Sequence, residues 1–190
     1  MAAAVMAAAL SMPLVATAKG ADVPSAAGLP VLTWQPPVSV DDGQLNAIAC
    51  PSTSECVAVD SSGQEVTFDP AAPAHATVAT VDSGRALSAL SCPSASQCIA
   101  VDGSGNSVTF HPTPPVDPQT TDIDAATTLR GVACASTTSG CTAVDNSGNA
   151  LSLTPLLSAN LSSSALVGIA CTGSLCTAIS GSRELTFYGS

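Results

Sequence analysis

An all-β fold built from four short repeats is predicted by three observations. The first is a phrase of a leucine, four residues, a cysteine, a short gap and a second cysteine. It occurs as Leu45 to Cys50 with Cys56, Leu87 to Cys92 with Cys98, Leu129 to Cys134 with Cys141, and Leu166 to Cys171 with Cys176. The second is the period: the first cysteines lie 42, 42 and 37 residues apart, a spacing that marks stacked supersecondary units. The third is the texture between phrases, where short runs with β-branched members alternate with Gly, Pro, Asp and Ser, the residues of strands and turns. Outside the first eighteen residues no window carries the i, i+3, i+4, i+7 spacing of a long amphipathic helix.

Each unit divides in the same way. In the first, Leu45–Cys50 alternates large and small residues, Pro51–Glu55 is a turn-rich link, and Cys56–Asp60 is a second apolar run. Ser61–Gly63 turns the chain, Glu65–Asp69 is a third run, and Thr77–Val81 is a fourth, followed by Asp82-Ser-Gly84. The second unit repeats this with Cys98–Asp102, Ser107–Phe110 and Thr120–Ile123. The third gives Cys141–Asp145 and Ala150–Leu153, and the fourth Cys176–Ile179 and Glu184–Phe187. Roughly four strands in roughly forty residues is the size of one β-propeller blade. The expected fold is therefore a small β-propeller of four blades, or an open propeller arc, over residues 31–190.

The fourth unit shows three strands. Before the first unit lies an orphan run, Val31–Val40, that matches the fourth strand and turn of unit one. Pairing of residues 31–40 with Glu184–Tyr188 is expected to close the ring and remove exposed strand edges, the alternative being a fragment of a larger propeller protein that leaves an open arc. The innermost strands carry Ala47, Ala89, Gly131 and Gly168 at one shared position. Small side chains there let neighbouring blades approach closely.

The eight cysteines read as staples. Zinc sites favour closer pairs, usually with histidine in support, whereas His75 and His111 lie outside the phrases. The simplest pairing is within each repeat: Cys50–Cys56, Cys92–Cys98, Cys134–Cys141 and Cys171–Cys176. Each would add roughly 2–2.5 kcal/mol through loop-closure entropy. Such clips need an oxidising compartment. Residues 1–18 are almost wholly apolar and end in Ala16-Thr17-Ala18, the small-x-small form that precedes signal cleavage. An export signal over 1–18, a linker over 19–30 and a secreted or cell-surface destination are expected, with no stable membrane span after signal removal.

Composition excludes some partners. The chain has a net charge of -10, and Lys19, Arg85, Arg130 and Arg183 are all its Lys and Arg. Nucleic acid and anionic membranes both require clustered cations. Hydrophobic residues make up 46% and aromatic residues 3%, so the core must be built from Ala, Val, Leu and Ile.

The phrase Cys-Pro-Ser-x-x-x-Cys-x-Ala-Val-Asp-x-x-Gly, at Cys50–Gly63 and Cys92–Gly105, resembles blades of secreted bacterial propeller-repeat proteins. These in turn resemble, distantly, the BNR/Asp-box propellers that include sialidases. The resemblance implies a propeller fold and leaves the activity open between a binding or scaffolding module and a glycan-acting hydrolase. A sialidase-like site would use an arginine cluster and a tyrosine. Here Arg85, Arg130 and Arg183 stand at non-equivalent repeat positions, and Tyr188 is the one tyrosine.

No catalytic residue is picked out, and neither a cofactor nor a metal is expected. Asp60-Ser-Ser-Gly63, Asp102-Gly-Ser-Gly105 and Asp145-Asn-Ser-Gly148 fit hairpin turns better than calcium loops, which need several converging oxygens. The candidate ligand positions are Asn46, Ser88, Arg130 and Val167. They share one place after the fixed leucine and vary where the scaffold does not. The expected partner is an extracellular protein or a glycan.

Overall fold

The computed structural model describes residues 36–114, 116–125, 127–135 and 140–188. The apolar leader, the linker and residues 31–35 lie outside them. The chain divides into two units, Met1–Pro36 and Pro37–Ser190, and the repeats occupy the second.

Four antiparallel sheets follow one another along the chain. Blade 1 holds β1 (Leu45–Ser52), β2 (Glu55–Asp60), β3 (Gln64–Phe68) and β4 (Thr77–Thr80). Blade 2 holds β5 (Leu87–Ser94), β6 (Gln97–Asp102), β7 (Asn106–Phe110) and β8 (Gln119–Asp122). Blade 3 holds β9 (Leu129–Cys134), β10 (Cys141–Asp145), β11 (Asn149–Leu153) and β12 (Leu156–Asn160). Blade 4 holds β13 (Gly168–Thr172), β14 (Leu175–Ser180) and β15 (Arg183–Tyr188). Each is a meander in which successive strands are neighbours, as short turns require. The fold class read from the sequence is thus the one observed.

Some details differ from the sequence reading. Strands β1 and β5 continue through the Cys-Pro-Ser segment, so the turn shrinks to Thr53-Ser54 in the first blade and Ala95-Ser96 in the second. Strand β12 is not anticipated. Thr154-Pro155 occupies the tight turn between β11 and β12.

The four disulfides are the within-repeat pairs, Cys50–Cys56, Cys92–Cys98, Cys134–Cys141 and Cys171–Cys176, and no described cysteine is free. They cross the first hairpin of each blade. Cys134 lies opposite Cys141 and Cys171 opposite Cys176 in the strand register. Pairs facing across an antiparallel ladder are close enough for a staple. Four such bonds require an oxidising setting.

Blades stack through apolar side chains, and the cores lie between blades. Val57 and Val59 of blade 1 pack with Leu87, Leu90, Ala100, Val108 and Phe110 of blade 2. Ile99 and Val101 of blade 2 meet Leu129, Val132, Ala143 and Leu151 of blade 3. Val144 and Ala150 of blade 3 meet Leu166 and Ala178 of blade 4. Each blade therefore presents one face to its predecessor and the other to its successor. The alternation of side chains along a strand supplies both faces.

The innermost strands run side by side, β1 with β5, β5 with β9 and β9 with β13. Small residues permit this approach. A Cβ on Gly131 would stand 3.2 Å from Cγ2 of Ile169 on the next blade. No comparable packing joins β13 back to β1 among the described residues, so the four blades form an open arc. The expected closing strand is not seen where it can be judged: residues 36–40 form no strand, and blade 4 keeps three strands.

One joint recurs between blades. Asp60, Asp102 and Asp145 are fully buried. The Oδ1 of Asp102 accepts the amides of Ser104 and Asn106, and its Oδ2 accepts the Asn106 side chain. Asp145 does the same with Ser147 and Asn149, and Asp60 accepts the amides of Ser62 and Gln64. The carbonyl of the turn glycine then receives two amides from the end of the blade. Gly63 takes those of Val81 and Asp82, Gly105 those of Ile123 and Asp124, and Gly148 those of Leu161 and Ser162. The aspartates are thus spent on backbone donors, as the hairpin reading expects.

Candidate functional site

The four positions singled out in the sequence come to one place in the fold, at or beside the start of each innermost strand. Two are engaged in structure. The Asn46 side chain donates to the Leu87 carbonyl at 2.8 Å, and the Ser88 hydroxyl donates to the Leu129 carbonyl at 2.8 Å. Both tie a blade to its successor. Arg130 and Val167 are exposed.

Acidic pairs form at the blade joints, an arrangement that the scattered acids of the sequence conceal. Asp82 from the end of blade 1 meets Asp102 of blade 2. Burial raises the Asp82 pKa above the ordinary value, the Asp102 charge adds to this, and Arg85 opposes it. Arg85 lies 3.1 Å from Asp82 Oδ1 and 3.8 Å from Asp102 Oδ2. At the next joint burial raises Asp124, and Asp145 raises it further. Asp145 is lowered: burial works against it, but the backbone and side chain of Asn149, the Asp124 carboxyl and the Ser147 amide outweigh that. A proton shared between the carboxyls would satisfy Asp124 Oδ2, which is buried with no other partner among the described residues. At the third joint hydroxyls replace the acids, with Ser162 Oγ 3.2 Å from Ser180 Oγ. Recurrence under successive hairpins makes these pairs parts of the scaffold.

Glu65 is a further buried acid. Its side chain lies on the face of blade 1 that meets blade 2, opposite Val59 in the register, and is 1% exposed. Thr67 donates to it at 2.7 Å. Burial raises its pKa to about 7, with Glu55 adding to the rise and Thr67 opposing it. Because the folded pKa lies above the ordinary value, ionised Glu65 costs stability. The cost is complete above pH 7 and vanishes below the ordinary value of 4.5. It amounts to about 3 kcal/mol. Urea melts of the Glu65→Gln variant are expected to show a gain of that order at pH 8 and little change near pH 4.5. An unchanged stability at pH 8 would remove Glu65 as a buried charge.

One site on the described surface has the shape of a receptor. Blade 4 lacks the strand that β4, β8 and β12 supply elsewhere, so the outer edge of β15 has no strand partner among the described residues. Beside it, between blades 3 and 4, lies a groove of about 430 Å³. Thr142, Leu157, Ala159, Leu161, Phe187 and Tyr188 are among its lining residues. Leu157 and Tyr188 are well exposed, while the Thr142 hydroxyl is buried with no hydrogen-bond partner among the described residues. The groove therefore offers apolar walls, the Thr142 hydroxyl and an edge of β15 that has no strand neighbour among the described residues. It was not foreseen from sequence; the missing fourth strand was its only signal.

No known family's sequence pattern matches this chain, and no curated protein matches it. Solved structures do. The chain superposes on the Cps50 (Swd1) β-propeller domain of Myceliophteria thermophila with a TM-score of 0.60 at 12% identity, covering 76% of this chain and 50% of that one. On the RRP9 WD40 repeats the TM-score is 0.65 at 10% identity, covering 78% and 52%. On the computationally designed Ika4 protein it is 0.61 at 10% identity, covering 78% and 92%. At these identities the likeness concerns the fold: four stacked propeller blades. The chain spans about half the length of the two natural propellers.

Proposed function

We propose that this chain is an exported binding module, and that the open edge of β15 with its adjoining groove takes an extended polypeptide segment from an extracellular protein. The observation that carries this is the coincidence of an unpaired strand edge with an apolar groove at the same blade. Strand addition supplies affinity through main-chain hydrogen bonds and selectivity through alternate side chains. One face of an added strand would enter between Leu157 and Phe187, where it could also satisfy the Thr142 hydroxyl. Export is supported by the four disulfides and by the signal-like residues 1–18, and the repeated Cys-Pro-Ser phrase supports kinship with secreted bacterial propeller-repeat proteins.

The test is a screen of extended peptides and of glycans against the oxidised protein, read by amide exchange. Bound peptides are expected to slow exchange along β15 and to lose affinity in Phe187→Ala and Leu157→Ser variants. Leu157 is largely exposed, so that second change should leave the fold intact. Ligands that bind without altering β15, or that are indifferent to both substitutions, would contradict the assignment.

A further inference from the structure

We propose that a second copy of this chain is the partner. It docks head-to-tail on blade 4, and its residues 36–39 take the strand position beside β15. This rests on the reading of the β15 edge as a strand-accepting site.

The first argument is positional. Val40-Asp41-Asp42-Gly43 is built like the joint that ends each blade. Val40 is half-buried, as Val81 and Ile123 are buried at the matching place. A Cβ on Gly43 would stand 2.6 Å from Asp60 Oδ2 and 2.8 Å from Asp41 Oδ2, so the two carboxyls face each other as Asp82 and Asp102 do. The Ser61 amide donates to the Gln44 carbonyl, as the Asn146 amide donates to Thr128. Counting back from this joint, residues 36–39 hold the place of Thr77–Thr80, the fourth strand of a blade. They are exposed and belong to no sheet. Among the described residues, each copy thus has a fourth-strand segment without a sheet and a sheet without a fourth strand. Prolines 36 and 37 suit an outermost strand better than any other.

The second argument is the continuity of the blade interface. Val59, Val101 and Val144 are fully buried against the following blade, whereas their counterpart Ile179 is 48% exposed. Leu87, Leu129 and Leu166 are fully buried against the preceding blade, whereas Leu45 is 40% exposed. Ile48, the counterpart of buried Leu90 and Val132, is 60% exposed. Ala58 and Val66, further out on the same face of blade 1, are already buried. Contact would therefore run chiefly along the innermost strand, as it does between β1 and β5 and between β5 and β9. The innermost-strand part of an interface made three times within the chain would be made twice more between copies.

The number of blades also fits a ring made by two copies. The chain lies on about half of two natural propeller chains. Two four-blade arcs would make about eight blades, within the usual range for a ring. A head-to-tail contact closes when the rotation per copy completes a circle.

The mass of the oxidised chain in solution, by native mass spectrometry or light scattering, is the readout. A dimer is expected. Ile48→Asp and Ile179→Asp, both at exposed positions, should each weaken it by about 100-fold or more while leaving circular dichroism unchanged. The double variant Ile48→Lys with Ile179→Glu should recover much of the loss. A monomer at high micromolar concentration would overturn the proposal. So would a dimer broken by Ile179→Asp but insensitive to Ile48→Asp, because that pair would be face to face. A synthetic peptide spanning residues 33–43 separates the two readings. If the chain is monomeric and this peptide leaves β15 exchange unchanged while a foreign extended peptide slows it, only the second-copy proposal falls. If no peptide slows it, the strand-accepting site falls too.

Discussion

Reduction of the four disulfides is expected to abolish the cooperative thermal transition or to lower its midpoint by about 20 °C or more. Each bond closes a loop of only a few residues, with sequence separations of 5 to 7, and contributes roughly 2–2.5 kcal/mol. Four together reach roughly 8–10 kcal/mol, comparable to the whole stability of an ordinary domain. For a chain of this size 1 kcal/mol moves the midpoint by roughly 2–4 °C. The cores cannot make up the loss: aromatic residues are 3% of the chain, and the largest fully buried side chain is Phe110, followed by leucines. Calorimetry with and without dithiothreitol checks this. A midpoint that falls by less than about 5 °C, the scale of a single clip, would mean that the blades hold without their staples.

Gly105→Ala is expected to cost about 3 kcal/mol, while Gly84→Ala costs about 1 kcal/mol. Both glycines have positive φ, at 91° and 75°, so both variants carry the left-handed penalty. They differ in surroundings. A Cβ on Gly105 would run into the Asp124 carbonyl, whereas nothing lies within 4 Å of one on Gly84. Moving the Asp124 carbonyl disturbs the joint in which the Ile123 and Asp124 amides bond Gly105. Chemical denaturation of the two variants gives the difference directly. Equal losses would mean that the joint yields to the methyl group and does not hold the blades in register.

Most of the architecture was legible because its determinants are local. Each cysteine has its partner a few residues away, across one hairpin, so a repeated spacing suffices to pair them. The Asp-x-x-Gly turns are also local, since Asp102 bonds amides two and four residues ahead. What escaped depends on neighbours distant in sequence. Glu65 and Glu184 occupy the same repeat position, yet Glu65 is buried by blade 2 while Glu184 is exposed on blade 4. Asn46 and Ser88 look like free surface positions until their bonds to the next blade are seen. The expectation of a closing strand over residues 31–40 is not met in the described part of that segment, since residues 36–40 join no sheet. It placed that strand against the same chain's last blade, and whether the two ends meet depends on how successive blades pack, which no repeat count reveals. The groove escaped for the same reason, since it is bounded by strands from two blades.

The central claim is that four blades stack through three cores and leave the innermost strand of the first blade uncovered on its outward side. The most direct test is the stability of Leu→Ala variants at the four equivalent positions, in the Ile179→Asp background so that the chain is studied alone. Leu87→Ala, Leu129→Ala and Leu166→Ala should each cost about 2–5 kcal/mol, because each empties a fully buried site. Leu45→Ala should cost less than about 1 kcal/mol, because its side chain is 40% exposed. A Leu45→Ala loss equal to the other three would contradict the open arc and place a blade against β1 within a single chain.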